Sequence, residues 1–481
     1  MKKYLFIGLV AAFVVSSCTD IDDNINTETI VQDFMWKAMN TYYFWQEDVP
    51  NLADTRFTSD DEYQAFLSAS GNPEDFFNSQ LRFSEDRFSF LSDDYKELVN
   101  NFAGVSRSNG LEFGLVNSAS RGLFGIVRYI IPNSDAASKN VIRGEVFNGV
   151  DGQTLTLANY QDLLFGDNDT YTLNMADITS STIASNGKNV SLTKQEGLSE
   201  NPVFITKTID VANKKVGYIM YNGFTNEYDE DLNNAFAQLK ASNVTDLVLD
   251  FRYNGGGSVN SARLLSSMIH STDGSKLLFK QRWNSKIQAT LTNEQLEDYF
   301  ANRTGNGVAI NTLNLSKVYI LVTNGSASAS ELVINALRPY MEVVLIGTTT
   351  RGKNEFSITL VDDPNRRDRA YIYTPSREQN INPLNSWAIQ PLVGRNENSV
   401  GFIDYTAGFT PDIFLSEDAT NYSVLGDENE PLLARALQEI TGVSGKRDFS
   451  VKVPTDVLTS SKMFSPLKDN MYLDKDINLN F

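Results

Sequence analysis

The sequence predicts an α/β protein in which a helical region and a β-rich region precede the α/β part. Three observations lead there. Between residues 201 and 445, short apolar runs alternate with amphipathic helical stretches, the pattern of crossover units around a covered sheet. Between 104 and 195, short alternating strands are separated by Gly, Asn and Asp turns. Between 29 and 101, apolar residues recur at helical spacing.

In the first region Val31, Met35, Ala38, Met39 and Tyr42 form one apolar stripe, and aromatics crowd residues 36–45. Such a stripe reads as core rather than as a cofactor site. In the α/β region, 216–224 reads as a strand, and Leu232, Ala235, Phe236 and Leu239 mark a helix. Residues 244–250 then form a buried strand, followed by a glycine loop and a helix over 261–270. A strand over 318–323, a helix over 331–337 and a strand over 343–346 complete the pattern. Residues 446–481 carry no clear pattern and stay unassigned.

A chain of 481 residues with 41% hydrophobic composition has material for more than one core. A net charge of -19 argues against a nucleic-acid partner, because phosphate binding needs clustered Lys and Arg. Lys2 and Lys3 precede an apolar run over 4–15 and then Ser16-Ser17-Cys18, which reads as a signal peptide over 1–17, too short to span a membrane stably. Val15-Ser16-Ser17-Cys18 resembles a bacterial lipobox, which implies a lipidated Cys18, export, and an outer-membrane lipoprotein facing the periplasm or the cell surface. An ordinary secretory signal with an incidental cysteine is the alternative. Residues 18–28 form an acidic tether that resembles the surface-export signals of Bacteroidota lipoproteins; a plain solvated tether would look the same. Cys18 is the only cysteine, which excludes an intramolecular disulfide, a zinc cluster and a cysteine nucleophile.

Three segments carry chemistry. Asn324-Gly325-Ser326-Ala327-Ser328-Ala329-Ser330-Glu331 follows a strand and opens a helix, where N-terminal N–H groups favour a developing anion. Thr350-Arg351-Gly352-Lys353 follows the next strand; a lysine there is a general base only if desolvation lowers its pKa. Asp250-Phe251-Arg252-Tyr253-Asn254-Gly255-Gly256-Gly257-Ser258 follows a buried strand, and its glycines leave backbone N–H groups able to bind an oxyanion. The single histidine, His270, sits at a helix end in no triad frame, so a serine hydrolase here needs another base. A Ser-Lys pair is the known variant.

The order LDFRYNGGGS, VTNGSASASEL, GTTTRGKNEF resembles the core of the C-terminal processing (tail-specific) peptidases, relatives of the tricorn protease. The resemblance implies a ClpP/crotonase-like α/β core over 201–445, preceded by a PDZ-like domain over 104–195. In that family the serine and lysine lie 25 positions apart, which selects Ser328 with Lys353. The same matching implies an oxyanion hole from Ala329 and Gly256 or Gly257, and a supporting role for Glu331. Residues 110–115 resemble a PDZ peptide-binding loop, implying contacts from Leu111, Phe113, Gly114 and Leu115 to an extended peptide added at a sheet edge. Gly255 replaces a proline common in the family, and Pro339 stands where some bacterial members carry aspartate, so no carboxylate role is assigned there. The implied function is serine endopeptidase action on extracytoplasmic proteins or peptides, near C-termini, without metal or organic cofactor.

Two other readings stand beside it. Residues 347–353 fit the G-x-x-x-x-G-K spacing of a P-loop, but Asn354 follows where a magnesium-binding Ser or Thr is required. A non-catalytic peptide-binding lipoprotein on the same fold is the other.

Overall fold

The computed structural model describes residues 28–365, 370–443 and 448–474. The expected signal peptide, Cys18 and nearly all of the acidic tether lie outside the described residues. Within those described, no helix is long and apolar enough to cross a membrane.

Helix α1 (Ile30–Tyr42) buries Phe34, Met35, Ala38, Met39 and Tyr42, the stripe its spacing dictates. It is followed by α2 (Asp60–Ser68), capped by Ser59 Oγ, and α3 (Tyr95–Phe102). The helical region does not keep a core of its own. The apolar side chains of α1 and α2 merge with those of the α/β part in one cluster, and Leu98 and Phe102 of α3 join Val361, Tyr371 and Tyr472 in another.

A small β-domain comes next. It contains β1 (Leu111–Ser118), β2 (Gly122–Ile130), β3 (Val146–Val150), α4 (Tyr160–Phe165), β4 (Thr170–Ile178) and β5 (Ile183–Thr193). It has a separate core around Leu111, Phe113, Leu115, Phe147 and Leu173. An antiparallel ribbon of 105–108 with 195–199 joins it to the rest.

The α/β part begins with β6 (Val203–Val211), β7 (Lys214–Tyr221), α5 (Asp229–Ala241) and β8 (Asp246–Asp250). It continues through β9 (Gly256–Ser258), α6 (Val259–Ile269), β10 (Leu277–Trp283), β11 (Glu297–Tyr299), β12 (Lys317–Val322) and α7 (Ala329–Leu337). Then come β13 (Glu342–Gly347), β14 (Glu355–Ser357), β15 (Leu392–Asn398), β16 (Ile413–Phe414) and α8 (Pro431–Thr441). The main sheet has the order β6-β7-β8-β12-β13-β16 and is parallel from β7 onward. Alternate residues of β7 face opposite sides: Ile219 and Tyr221 join the large cluster, whereas Tyr218 and Met220 pack with Leu432, Leu433 and Leu437 of α8. Both faces are covered, which is why these strands read as continuous apolar runs.

The register pairs Asp250 with Leu321 and Val322 with Gly347, so β8, β12 and β13 end together. The loops that follow emerge side by side at the C-terminal edge of a parallel sheet, the usual place for a site in such folds.

The unassigned C-terminal segment supplies two more strands. β17 (Val457–Ser460) adds antiparallel to β1, giving the small sheet the order β17-β1-β2-β3-β4-β5. β18 (Asn470–Tyr472) inserts between β9 and β14 in a second sheet of order β9-β18-β14-β15-β10-β11. Strands this short have no periodicity of their own; their partners lie more than a hundred positions upstream.

Candidate active site

The chain leaves β12 and turns sharply through Ser328, whose φ of 63° and ψ of -112° are left-handed for a non-glycine residue. Such a conformation costs about 1–3 kcal/mol and persists only where its surroundings over-determine it. Here they do. Ser326 Oγ donates to Phe251 O at 2.8 Å, Ala327 N–H to Asn254 O at 3.1 Å, and Ser330 Oγ to the same carbonyl at 3.1 Å. The turn is stitched to the loop after β8, and Ser328 becomes the N-cap of α7. Ser328 is fully buried, and its Oγ has no hydrogen-bond partner among the described residues.

Glu331, one turn into α7, is also fully buried. Its Oε2 accepts the Ser328 N–H at 2.8 Å and the Lys353 N–H at 2.9 Å. Its Oε1 accepts the Gly352 N–H at 2.7 Å and Thr350 Oγ at 2.5 Å. One carboxylate therefore ties the serine turn to the lysine loop, and the two backbones are no more than two hydrogen bonds apart. Burial raises the Glu331 pKa above the usual carboxylate value, although these donors favour its charged form.

Lys353 is completely buried. Its Nζ donates to Asn470 Oδ1 at 3.1 Å and lies 5.2 Å from the centre of the Phe88 ring. Burial pushes its pKa down to about 8, against the opposing pull of Glu355, Asp469, Asp86 and Glu331. Phe88 comes from the helical region, held by Asp86 Oδ1, which accepts the N–H groups of Phe88 and Ser89. Arg87 Nη2 donates to Gly352 O at 2.5 Å, fastening the same segment to the lysine loop.

The last two glycines of the triple lie in a strand, Gly256–Ser258, rather than in the loop expected from sequence. Gly256 has a φ of 116°, and a Cβ there would lie 2.7 Å from Ser328 Cβ and 3.2 Å from Ala329 N. Only glycine leaves the space between this strand and the opening of α7. The expectation that the glycines offer free N–H groups needs correction. The Gly256 N–H donates to Asn254 Oδ1 at 2.9 Å, and Gly257 is paired with Phe224 on one side and Met471 on the other. The physical reason is the insertion of β18, which turns an open loop into a ladder.

A cleft of about 1380 Å³ runs between the small β-domain and the core, walled by Phe88, Leu111, Phe113, Gly256 and Lys468; neither Ser328 nor Lys353 reaches it. Leu111, Phe113 and Leu115 bury their side chains in the β-domain, and Gly114 packs against the Arg128 side chain. The β1 edge at which a peptide was expected already carries β17, with Ser461 N–H donating to Phe113 O at 3.0 Å. A peptide at that edge would have to replace this segment.

His270 lies away from this cluster, its Nδ1 2.9 Å from Leu315 O and its ring between Phe300 and Tyr340. Residues 347–353 lead into strand β14, not into the helix that a P-loop opens, and Asn354 Nδ2 is spent on Ile403 O. Phe88, Asn254 and Asn470 are site neighbours that sequence reasoning missed. Asn254 alone carried a signal, standing inside the glycine motif.

Comparison with known proteins agrees with this architecture. Residues 215–381 match Peptidase family S41, and residues 31–90 match the Peptidase S41 N-terminal domain. A protein assigned as a CtpA-like serine protease in Staphylococcus aureus strain N315 is 30% identical over 178 residues, 35% of this chain and 33% of its own. The chloroplastic C-terminal processing peptidase of Tetradesmus obliquus is 27% identical over 252 residues, 48% of each chain. The chain thus spans a third to a half of the length of these curated relatives. Among solved structures, a Bacteroides fragilis NCTC 9343 protein assigned to the S41 proteases superimposes over 85% of this chain and 97% of its own, with a TM-score of 0.65 and 26% identity. With this fold, residues 215–381 are similar to the peptidase family S41 domain and residues 31–90 to the N-terminal domain that goes with it.

Proposed function

We propose that this protein is a serine endopeptidase that cleaves extracytoplasmic proteins or peptides, near their C-termini, with Ser328 as nucleophile and Lys353 as base. The observation that carries the reading is the Glu331 carboxylate, which binds the Ser328 and Lys353 N–H groups on one oxygen while the lysine amine sits in a dry pocket. A desolvated lysine with a pKa of about 8 is partly neutral near pH 7 and able to take a proton. Ser328 Oγ attacks the scissile carbonyl as its proton passes to Lys353 Nζ. The resulting ammonium returns that proton to the leaving amine, and water then resolves the acyl-enzyme by the reverse path. Ala329 N–H, at the positive end of α7, is the first oxyanion donor. A donor from the glycine strand becomes available only if Gly256 gives up Asn254. In this reading the lipidated Cys18 anchors the exported chain to the outer membrane.

One observation favours a second reading, a peptide-binding lipoprotein without turnover. Ser328 is buried and its Oγ is not bonded to Lys353, whose amine is held by Asn470. Cleavage of an unfolded reporter protein by residues 19–481 separates the two. Cleavage by the wild type that drops by at least about four orders of magnitude in Ser328→Ala and in Lys353→Ala supports the dyad. Lys353→Ala with near-normal turnover sinks it, and no cleavage by any form favours the binding protein.

A further inference from the structure

We propose that Asn470 is a positioning residue for the Lys353 amine, so that the C-terminal strand β18 is part of the machinery of the site; this rests on the peptidase reading above. Asn470 is 2% exposed, and its Oδ1 accepts from Lys353 Nζ at 3.1 Å and from Ser357 Oγ at 2.9 Å. Ser357 Oγ in turn accepts from Gln390 Nε2 at 2.9 Å. The carboxamide is thus oriented from behind by a buried relay. Its backbone is held by pairing with Gly256, where a Cβ would lie 2.3 Å from Asn470 O and 2.7 Å from Ser328 Cβ. Asn470 and Ser328 therefore flank the same glycine.

The chemistry favours an amide at this place. A neutral lysine amine has two N–H bonds and one lone pair. Donating one N–H to a fixed oxygen sets the rotation about the Cε–Nζ bond and leaves the lone pair to receive the proton of Ser328. When the proton has moved, the ammonium keeps its hydrogen bond to Oδ1. A carboxylate in the same place would favour the ammonium throughout and take away the base. The acidic groups facing Lys353 from the surrounding elements are Glu355 of β14, Asp469 beside β18, Asp86 of the helical region and Glu331 of α7, all pulling its pKa upward. A further negative charge in direct contact would add to them. Among the described residues, Asn470 Nδ2 and Ser328 Oγ are both buried without a hydrogen-bond partner, one on each side of Gly256.

The test compares wild type, Ser328→Ala, Asn470→Ala and Asn470→Asp of residues 19–481 in the unfolded-reporter assay between pH 6 and 10. Circular dichroism and thermal melting confirm folding. Asn470→Ala is expected to lower kcat at least tenfold with KM within about twofold. Asn470→Asp, nearly the same size, is expected to move the rise of kcat/KM at least one pH unit to the alkaline side, losing about tenfold at pH 7 and recovering near pH 10. Should Asn470→Ala fail to fold, Asn470→Asp carries the test alone. Cleavage that depends on Ser328, with the pH profile of Asn470→Asp unmoved, overturns the positioning role and leaves the dyad standing. Absence of any Ser328-dependent cleavage overturns the peptidase reading and this role with it.

Discussion

Two buried charged clusters lie at either end of one short stretch, residues 250–258, and they handle charge in opposite ways. At the first, Arg252 is fully buried and its guanidinium is saturated. It donates to Asp250 at 2.8 Å, to both oxygens of Glu430 at 2.7 and 2.9 Å, and to Glu417 at 3.1 Å. Arg143 of the small β-domain reaches Glu417 at 3.0 Å from the other side. Burial works to raise the Glu417 pKa, but Arg252 and Arg143 outweigh it and hold the carboxylate at about 2. At the second cluster, Lys353 is buried to the same degree yet meets a neutral carboxamide, and burial wins, lowering its pKa to about 8. The lesson is that burial alone does not tell whether a charge is structural or chemical. What differs is direct pairing: a paired ion is locked in its charged form, and an unpaired one is poised to lose its charge.

The comparison breaks most visibly through stability. Arg252→Ala leaves Asp250 and Glu430 buried without their cation and Glu417 with Arg143 alone, and is expected to cost about 3–5 kcal/mol, read as a shift of the urea unfolding midpoint. A midpoint within experimental error of wild type would mean that the network contributes nothing to the fold. Glu331→Gln keeps the size of the clamp but replaces an acceptor oxygen by a donor that, in either orientation of the amide, faces at least one N–H group. It should lower kcat by about 10- to 100-fold with little change in KM, since only the mutual placement of Ser328 and Lys353 suffers.

The pH dependence sharpens the same contrast. The base form of Lys353 grows as pH rises through about 8. The kcat/KM should therefore climb about tenfold per unit on the acid side and level off above pH 8. A flat profile between pH 6 and 9 would rule out a titrating lysine as the base. The smallest effect is expected from Phe88→Ala, which admits water beside Lys353 Nζ. The acid limb should move about half a unit toward the ordinary lysine value, a severalfold loss at pH 7 that vanishes in alkali. An unmoved limb would place the source of desolvation elsewhere.

Much of the architecture was legible in advance, because it depends on residues close together in the chain. The strand over 244–250 and the helix over 331–337 were expected from their apolar patterns, and the structure has Asp246–Asp250 and Ala329–Leu337. The small β-domain announced itself through alternation and turns. The glycine segment reads as a loop in the sequence, since nothing near it signals that Asn470 and Met471 arrive to pair with it. The pairing of β17 with β1 has no local signal for the same reason.

Sequence by itself determined the α/β class and the strand–turn–helix around Ser328, because periodicity and turn chemistry act over a few positions. Only the tertiary structure decided how dry the lysine pocket is, how the two Glu331 oxygens join the two loops, and that Asn470, 117 positions after Lys353, meets its amine. Desolvation and pairing are set by whichever distant segments pack against a group, and no local pattern records them.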